Sequence, residues 1–495
     1  MNRKESIRGR LGRGAFWLAA SRLIVNVIGL LSTIVLARLL TPSDFGLVAI
    51  ATSAVAVITS LTNISLSMAL ISLRDITTEH IDAAWTLNLI RSFVLALLCL
   101  ACAFPMAAFY GDDRLIPIFV ALSGVVFCNG LSSPKLAILN KQLIFWPDFI
   151  QNVSAKFLAT ASAVAVGLWL RSYWAIIISA AVLQIVPVVL SYYFAPYRPK
   201  LSLSRSRDLL SFSIWLTLSE AINTLNWRSD NLFVGAYLGT KPLGFYTVGS
   251  DIAAIATRVT TVPLFQALMP AFSLIQSDIP KLAGAYRKIQ ALTFAFGFPF
   301  GIGFALVADL LVPLVLGSQW MPTVPVIQIV SVLFAIQTVT AANQPLALAL
   351  GRTKVIFWRD VVGLAVRMPL TVGGLWANGM TGLLIGRLCA GIIHSAISIS
   401  VTRDLIGVSL REQFSGVWRA ALSTLIMALA VGAAKSRLEQ SQDHLVLGIQ
   451  LVSLTLLGVS IYIISLFAIW HLHGRKNGVE RMLFDLLFSL RAKKD

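Results

Sequence analysis

Eleven ionisable side chains fall inside stretches of this chain that are otherwise apolar. They are Arg22, Arg91, Lys156, Arg228, Arg258, Arg367 and Arg387, with Glu220, Asp230, Asp251 and Asp309. A charge at the centre of a membrane helix costs roughly 2.5–3.5 kcal/mol even on a lenient scale, so these groups are expected to face a cavity or one another. Seven bases against four acids leave the set cationic. Clustered arginines make strong charge-assisted hydrogen bonds to phosphate, so the chemistry implied is the binding of an anionic group.

The eleven differ in depth. Arg91, Lys156 and Arg367 lie toward one end of their stretches and Arg387 toward the other, where long side chains reach the interface. Arg22, Arg228 and Arg258 lie deeper and are the candidate binding cations, with Asn26, Asn223, Asn226 and Trp227 as polar companions. Glu220, Asp230 and Asp251 are candidate coupling or ion-pairing acids. Asp251 and Arg258 are seven residues apart and share a helix face.

The elements that must position these residues are membrane helices. Hydrophobic residues make up 57% of the chain and charged residues 13%, about half the charge of an ordinary globular domain. Apolar stretches of roughly 20 residues, enough to cross about 30 Å of hydrocarbon, recur from end to end. Fourteen are expected, from 15–37 to 444–470.

The chain is also duplicated. Pro134-Lys135-Leu136-Ala137-Ile138-Leu139-Asn140-Lys141, followed by Ile144-Phe145-Trp146-Pro147-Asp148, returns as Pro345-Leu346-Ala347-Leu348-Ala349-Leu350-Gly351-Arg352, followed by Ile356-Phe357-Trp358-Arg359-Asp360. Trp17, Leu18, Ser21, Ile24, Leu40 and Gly46 match Trp215, Leu216, Ser219, Ile222, Leu238 and Gly244 at a constant offset of 198 residues. The copies stand six helices apart, and an even separation gives both the same orientation. The expected fold is therefore an all-α polytopic membrane protein: two six-helix lobes related by a pseudo-twofold axis along the membrane normal, plus two extra C-terminal helices. The expected boundaries are an N-terminal lobe 1–194, a basic linker 195–208, a C-terminal lobe 209–402, two further helices in 403–470 and a basic tail 471–495. At the same offset Arg22 meets Glu220, so opposite charges occupy matching positions of the two lobes. The paired Phe-Trp-x-Asp segments are read as structural elbows.

Orientation follows from basic residues. With the N-terminus inside, cytoplasmic segments hold 27 Lys and Arg against 6 outside, so both termini are expected to be cytoplasmic. The net charge of +18 then lies along one membrane face and suits anionic lipids rather than nucleic acid. The first apolar run is too long for a cleaved signal and is read as a retained anchor. Residues 479–490 are expected to form a basic amphipathic helix on the cytoplasmic leaflet. Pro263, Pro270, Pro345 and Pro369 invite helix bends. No phosphate-binding loop, nucleophile–base arrangement or metal-ligand spacing is evident, and the four cysteines fall in apolar stretches. Neither enzyme activity, nor a metal, nor any cofactor is expected.

Two runs then carry a resemblance: Arg13-Gly14-Ala15-Phe16-Trp17 and Ala37-Arg38-Leu39-Leu40-Thr41-Pro42-Ser43-Asp44-Phe45-Gly46-Leu47. They resemble the opening of Wzx-like polysaccharide and oligosaccharide flippases, the polysaccharide transporter branch of the multidrug/oligosaccharidyl-lipid/polysaccharide exporter superfamily. The resemblance implies a two-lobed core with a central cavity, in the bacterial cytoplasmic (inner) membrane. It implies flipping of a polyprenyl-diphosphate-linked oligosaccharide by alternating access, with polysaccharide polymerase and export proteins as candidate partners. Related lipid II flippases place arginines on the first and eighth helices, which correspond to Arg22 and Arg258. Two other readings are a cation or drug antiporter of the same superfamily, which would favour an acid-rich site, and a non-transporting scaffold for polysaccharide assembly.

Overall fold

The computed structural model describes residues 7–62, 70, 76–206, 214–438 and 443–474. Among them the only regular structure is helical. The expected amphipathic segment 479–490 lies outside the described residues. Helices α1 (Ile7–Leu39), α2 (Pro42–Ser60), α3 (Thr78–Tyr110), α4 (Leu115–Asn129), α5 (Leu136–Lys141), α6 (Trp146–Leu170), α7 (Trp174–Phe194) and α8 (Ile214–Leu238) come first. Then follow α9 (Thr240–Ser273), α10 (Ile279–Leu306), α11 (Ala308–Val315), α12 (Val324–Gln337), α13 (Asn343–Ala349), α14 (Thr353–Ile406), α15 (Leu410–Ser415), α16 (Trp418–Lys435) and α17 (His444–Leu472).

Ten helical segments among the described residues are long and apolar enough to cross a membrane, and each of the fourteen expected stretches overlies helix. One of the ten, α14, is two helices: Asn378 and Gly379 leave helical geometry, Gly379 with φ 55°. The break falls in the gap expected between the stretches 361–378 and 381–402, and the helix runs on through Pro369. The expected stretch 115–139 stops at Asn129, where Gly130, a weak helix former, follows and Pro134 lies just beyond. The stretch 324–350 likewise breaks into a 3-10 turn at Thr338–Thr340 before α13. In both copies the repeated Pro-containing motif thus forms a short helix, α5 or α13.

Packing divides the chain into two compact units, Met1–Gly244 and Phe245–Asp495. In the first, α6 packs between α1 and α7, α3 lies on α4, and α2 lies on α8. The buried side of α6 is Ala155, Ala159, Ala163 and Gly167, small residues that let membrane helices approach closely. Helix α8 is tied to its unit by Asn231 Nδ2 donating to Ser53 Oγ (2.9 Å) and Tyr110 OH donating to the Leu232 carbonyl (2.9 Å). The start of the 195–208 linker is strapped down as well. Tyr197 OH donates to Asp82 (2.5 Å), Ser202 N–H to Thr86 Oγ1 (3.0 Å) and Ser133 Oγ to the Ala195 carbonyl (3.0 Å). Burial and the Asp82 contact push the Tyr197 phenol well above its ordinary pKa.

One contact in this unit joins the two sequence copies. A Cβ on Gly46 would stand 1.8 Å from the carbonyl oxygen of Thr240, and one on Gly244 would stand 1.8 Å from that of Pro42. Thr240 and Gly244 occupy the offset positions of Pro42 and Gly46, so the crossing is reciprocal, as in an isologous contact. Ser43 Oγ and Thr240 Oγ1 share a hydrogen bond of 2.8 Å beside it. The two helix starts differ. A capping box between Thr41 and Asp44 opens α2, whereas Gly239, with φ 86°, turns α8 directly into α9.

In the second unit the arms of α14 pack through glycine. A Cβ on Gly382 would lie 1.9 Å from the Gly374 carbonyl oxygen, and one on Gly386 would lie 2.1 Å from that of Leu370. Helices α16 and α17 pack on α10 through Val307, Met427, Val431 and Leu454, and Tyr462 OH donates to the Ala295 carbonyl (2.6 Å).

Candidate anion-binding site

Helix α1 carries two exposed sides of opposite character. Ile24, Val27, Leu31 and Val35 are exposed and, at helical spacing, line one side. Arg22, Asn26, Gly29 and Thr33 line the other, half a turn away; Arg22 and Asn26 are also exposed. A hydrocarbon environment suits the first side and not the second. The sequence therefore builds a helix with one side fit for lipid and one for a polar opening. Thr33 returns its hydroxyl to the Gly29 carbonyl (3.0 Å), a local bond common for threonine in membrane helices.

Helix α8 sorts its polar residues differently from their order in the sequence. Glu220, Asn223 and Trp227 share one side; Glu220 and Trp227 are exposed and Asn223 half-buried. Arg228 is exposed, whereas Asp230 is only 2% exposed. Two residues apart on a helix, these charges point to nearly opposite sides. Asp230, with Ser229 and Asn231, is enclosed in the packing of its unit, and Asn226, one turn earlier, is half-buried on the same side. The structure thus brings Glu220, Asn223 and Trp227 together and separates Arg228 from Asp230. In the second unit Asp251 is exposed on α9, which is helical from Thr240 to Ser273. The Arg258 side chain lies outside the described ones.

The cations that sequence reasoning sent to the interface have specific environments. Arg91 donates through Nε to Thr62 Oγ1 (3.2 Å) and through Nη2 to the Thr59 carbonyl (3.4 Å). It thereby caps the C-terminus of α2, where a cation suits the helix dipole. Arg387 is only 5% exposed and donates to the hydroxyls of Tyr246 and Ser250. Its guanidinium lies 5.4 Å from the Tyr246 ring centroid and 5.8 Å from that of Phe334. Lys156 lies against Gly29, whose added Cβ would stand 3.3 Å from Lys156 Cε and 3.6 Å from Nζ. Asp309 is paired with Lys435 at 2.6 Å, and the same ammonium donates to the Leu306 carbonyl (2.7 Å), closing the end of α10. Arg367 is half-buried on α14. The sequence carries no signal for the Lys156–Gly29 contact, because the two residues lie on different helices.

The elbows keep their acid and differ beside it. Asp360 pairs at 2.7 Å with Arg359, a cation that stands where the first copy has Pro147. Outside the spans, hydrogen bonds from Arg114 hold the Asp112 carboxyl below its ordinary pKa. Among the described residues no three His, Cys, Asp or Glu side chains gather into a metal-binding group.

Comparison with known proteins fits this architecture. A family model described as "Polysaccharide biosynthesis protein" matches residues 35–325. The lipopolysaccharide biosynthesis protein WzxC of Escherichia coli (strain K12) is 27% identical over 440 residues, covering 86% of this chain and 88% of its own. The succinoglycan biosynthesis transport protein ExoT of Rhizobium meliloti (strain 1021) is 23% identical over 458 residues, 91% of each chain. Among solved structures, the lipid II flippase MurJ in an inward closed conformation superposes with a TM-score of 0.75. It covers 92% of this chain and 98% of that one, at 12% identity, a likeness of fold.

Proposed function

The chain belongs to the polysaccharide biosynthesis protein family, and from that premise we propose that it flips a polyprenyl-diphosphate-linked oligosaccharide across the bacterial cytoplasmic membrane. The observation that carries this reading is the polar side of α1: an exposed arginine and asparagine half a turn from an apolar side. Arg22, Arg228 and Arg258 hold the diphosphate, Asn26, Asn223, Asn226 and Trp227 meet the sugars, and the lipid tail stays in the bilayer. The lobes 1–194 and 209–402, joined by the linker 195–208, rock to open the cavity alternately to either side. Glu220 pairs with Arg22 in one state of that cycle, and Asp251 couples a proton or sodium ion to it. Asp230, being enclosed, serves as an ion-pairing acid within its unit. Both termini face the cytoplasm, and the basic linker and tail rest on anionic headgroups. The oligosaccharide passes to a polysaccharide polymerase and export proteins.

The names of the relatives, lipopolysaccharide biosynthesis and succinoglycan transport, support the substrate class. The test is export in cells. Arg22→Ala and Arg258→Ala, expressed at parental levels, are each expected to cut surface polymer by about tenfold or more, the cost of a lost charge-assisted contact. Export equal to that of the parent from both variants would sink the cationic-site model. The antiporter reading expects an acid on the exposed polar side of α1, which carries Arg22 and Asn26 instead.

A further inference from the structure

The geometry points to Lys156 as a second anion-binding residue of the first unit, one that makes the site prefer a diphosphate over a monophosphate; this rests on the flippase reading above. Three observations converge. Lys156 stands ten residues into the 25-residue helix α6, about 15 Å from its start, so it is distant from both helix ends. Its tip lies against Gly29, on the side of α1 that also carries Arg22 and Asn26. On α6 it has polar neighbours one turn either way, exposed Asn152 and half-buried Thr160, and the Thr160 hydroxyl is buried without a hydrogen-bond partner. The exposed apolar residues Ile150, Leu158 and Leu168 lie on the far side of that helix.

Two polar stripes therefore face one another along the α1–α6 contact, Arg22–Asn26–Gly29 and Asn152–Lys156–Thr160. Gly29 lets them come close: an added Cβ would already stand 3.3 Å from Lys156 Cε and 3.6 Å from Nζ, so a larger side chain would push the ammonium aside. The two cations are offset along α1 by up to two turns, about 10 Å, which long flexible side chains reduce. Each phosphate of a diphosphate can then take its own cation, arginine as a fork and lysine as a point charge. A monophosphate can satisfy only one cation fully. Lys156 is therefore a determinant of selectivity for the doubly phosphorylated lipid.

The experiment uses the purified full-length protein in detergent, with thermal unfolding measured against undecaprenyl diphosphate and undecaprenyl monophosphate. The parent is expected to bind the diphosphate more tightly. Lys156→Gln should lose about tenfold of that affinity while leaving the monophosphate nearly unchanged, and Lys156→Arg should retain the preference. Gly29→Leu, which displaces the ammonium and leaves Lys156 in the chain, should reproduce the Lys156→Gln result and carries the test if that variant does not fold. A parent that does not discriminate between the lipids would overturn the inference. So would Lys156→Gln keeping the full preference while Arg22→Ala loses binding, and that outcome leaves the flippase reading standing. Parental binding in both Lys156→Gln and Arg22→Ala would instead remove the cationic site itself.

Discussion

Gly46→Val and Gly244→Val are each expected to destabilise the protein strongly, and by similar amounts, although nearly 200 residues separate them in sequence. Each glycine faces a carbonyl oxygen of the other copy's helix start, at 1.8 Å from where a Cβ would stand. Backbone, not a flexible side chain, is what the new atom meets. One helix must shift, and the Ser43–Thr240 hydrogen bond of 2.8 Å shifts with it. Overpacking a tight contact costs about 1–3 kcal/mol and occasionally more; alanine should fall in that range and valine beyond it. Gly124→Ala is the control, since nothing lies within 4 Å of its added Cβ and alanine favours a helix by about 1 kcal/mol over glycine. Because Gly46 and Gly244 share one crossing, the double alanine variant should lose less than the sum of the singles. Thermal unfolding in detergent measures all of these. Parental melting for both single alanine variants would mean that the helices do not cross so closely.

This crossing shows what a sequence can and cannot convey. The match of Gly46 to Gly244 is visible as one pair among six at a constant offset, and helix and span positions follow from hydropathy. What the offset does not reveal is that the matched residues touch one another, because that depends on how helix starts are brought together. Helix ends were less legible than helices. The break of α14 at Asn378–Gly379 falls in the gap expected between the stretches 361–378 and 381–402, whereas the end of α4 at Asn129 falls short of the expected 139, although Gly130 and Pro134 stand there as local breakers. The site was legible as a set of misplaced charges but not as an arrangement. Helical periodicity alone separates Arg228 from Asp230, and spacing does place Asn26 with Arg22. It could not show Lys156 meeting Gly29, because the partner lies on another helix. For the same reason Arg91 and Lys156, similar in depth, have different roles: one caps α2 and the other joins a polar stripe.

Arg387 is the second position where a large effect is expected. Its distance from the helix end suggests a side chain that reaches the interface, and on that reading Arg387→Ala would cost little. The structure instead encloses it between Tyr246 and Phe334 with hydroxyls as acceptors, and Tyr246 itself is only 2% exposed. Removing the guanidinium deletes desolvated cation–π contacts worth about 2 kcal/mol. It also strips a buried hydroxyl of its donor, at about 1–3 kcal/mol. Arg387→Ala should therefore be strongly destabilising. Arg387→Lys should be intermediate, since it keeps charge but loses the planar fork. Tyr246→Phe should be mildest, losing about 1 kcal/mol because the ring remains. The two sites should also be coupled, so that Arg387→Ala costs less in a Tyr246→Phe background than in the parent. Cys389→Ala, at an exposed position two residues away, provides the baseline. If Arg387→Ala unfolds at the same temperature as Cys389→Ala, the enclosed arrangement is wrong and the arginine reaches solvent after all.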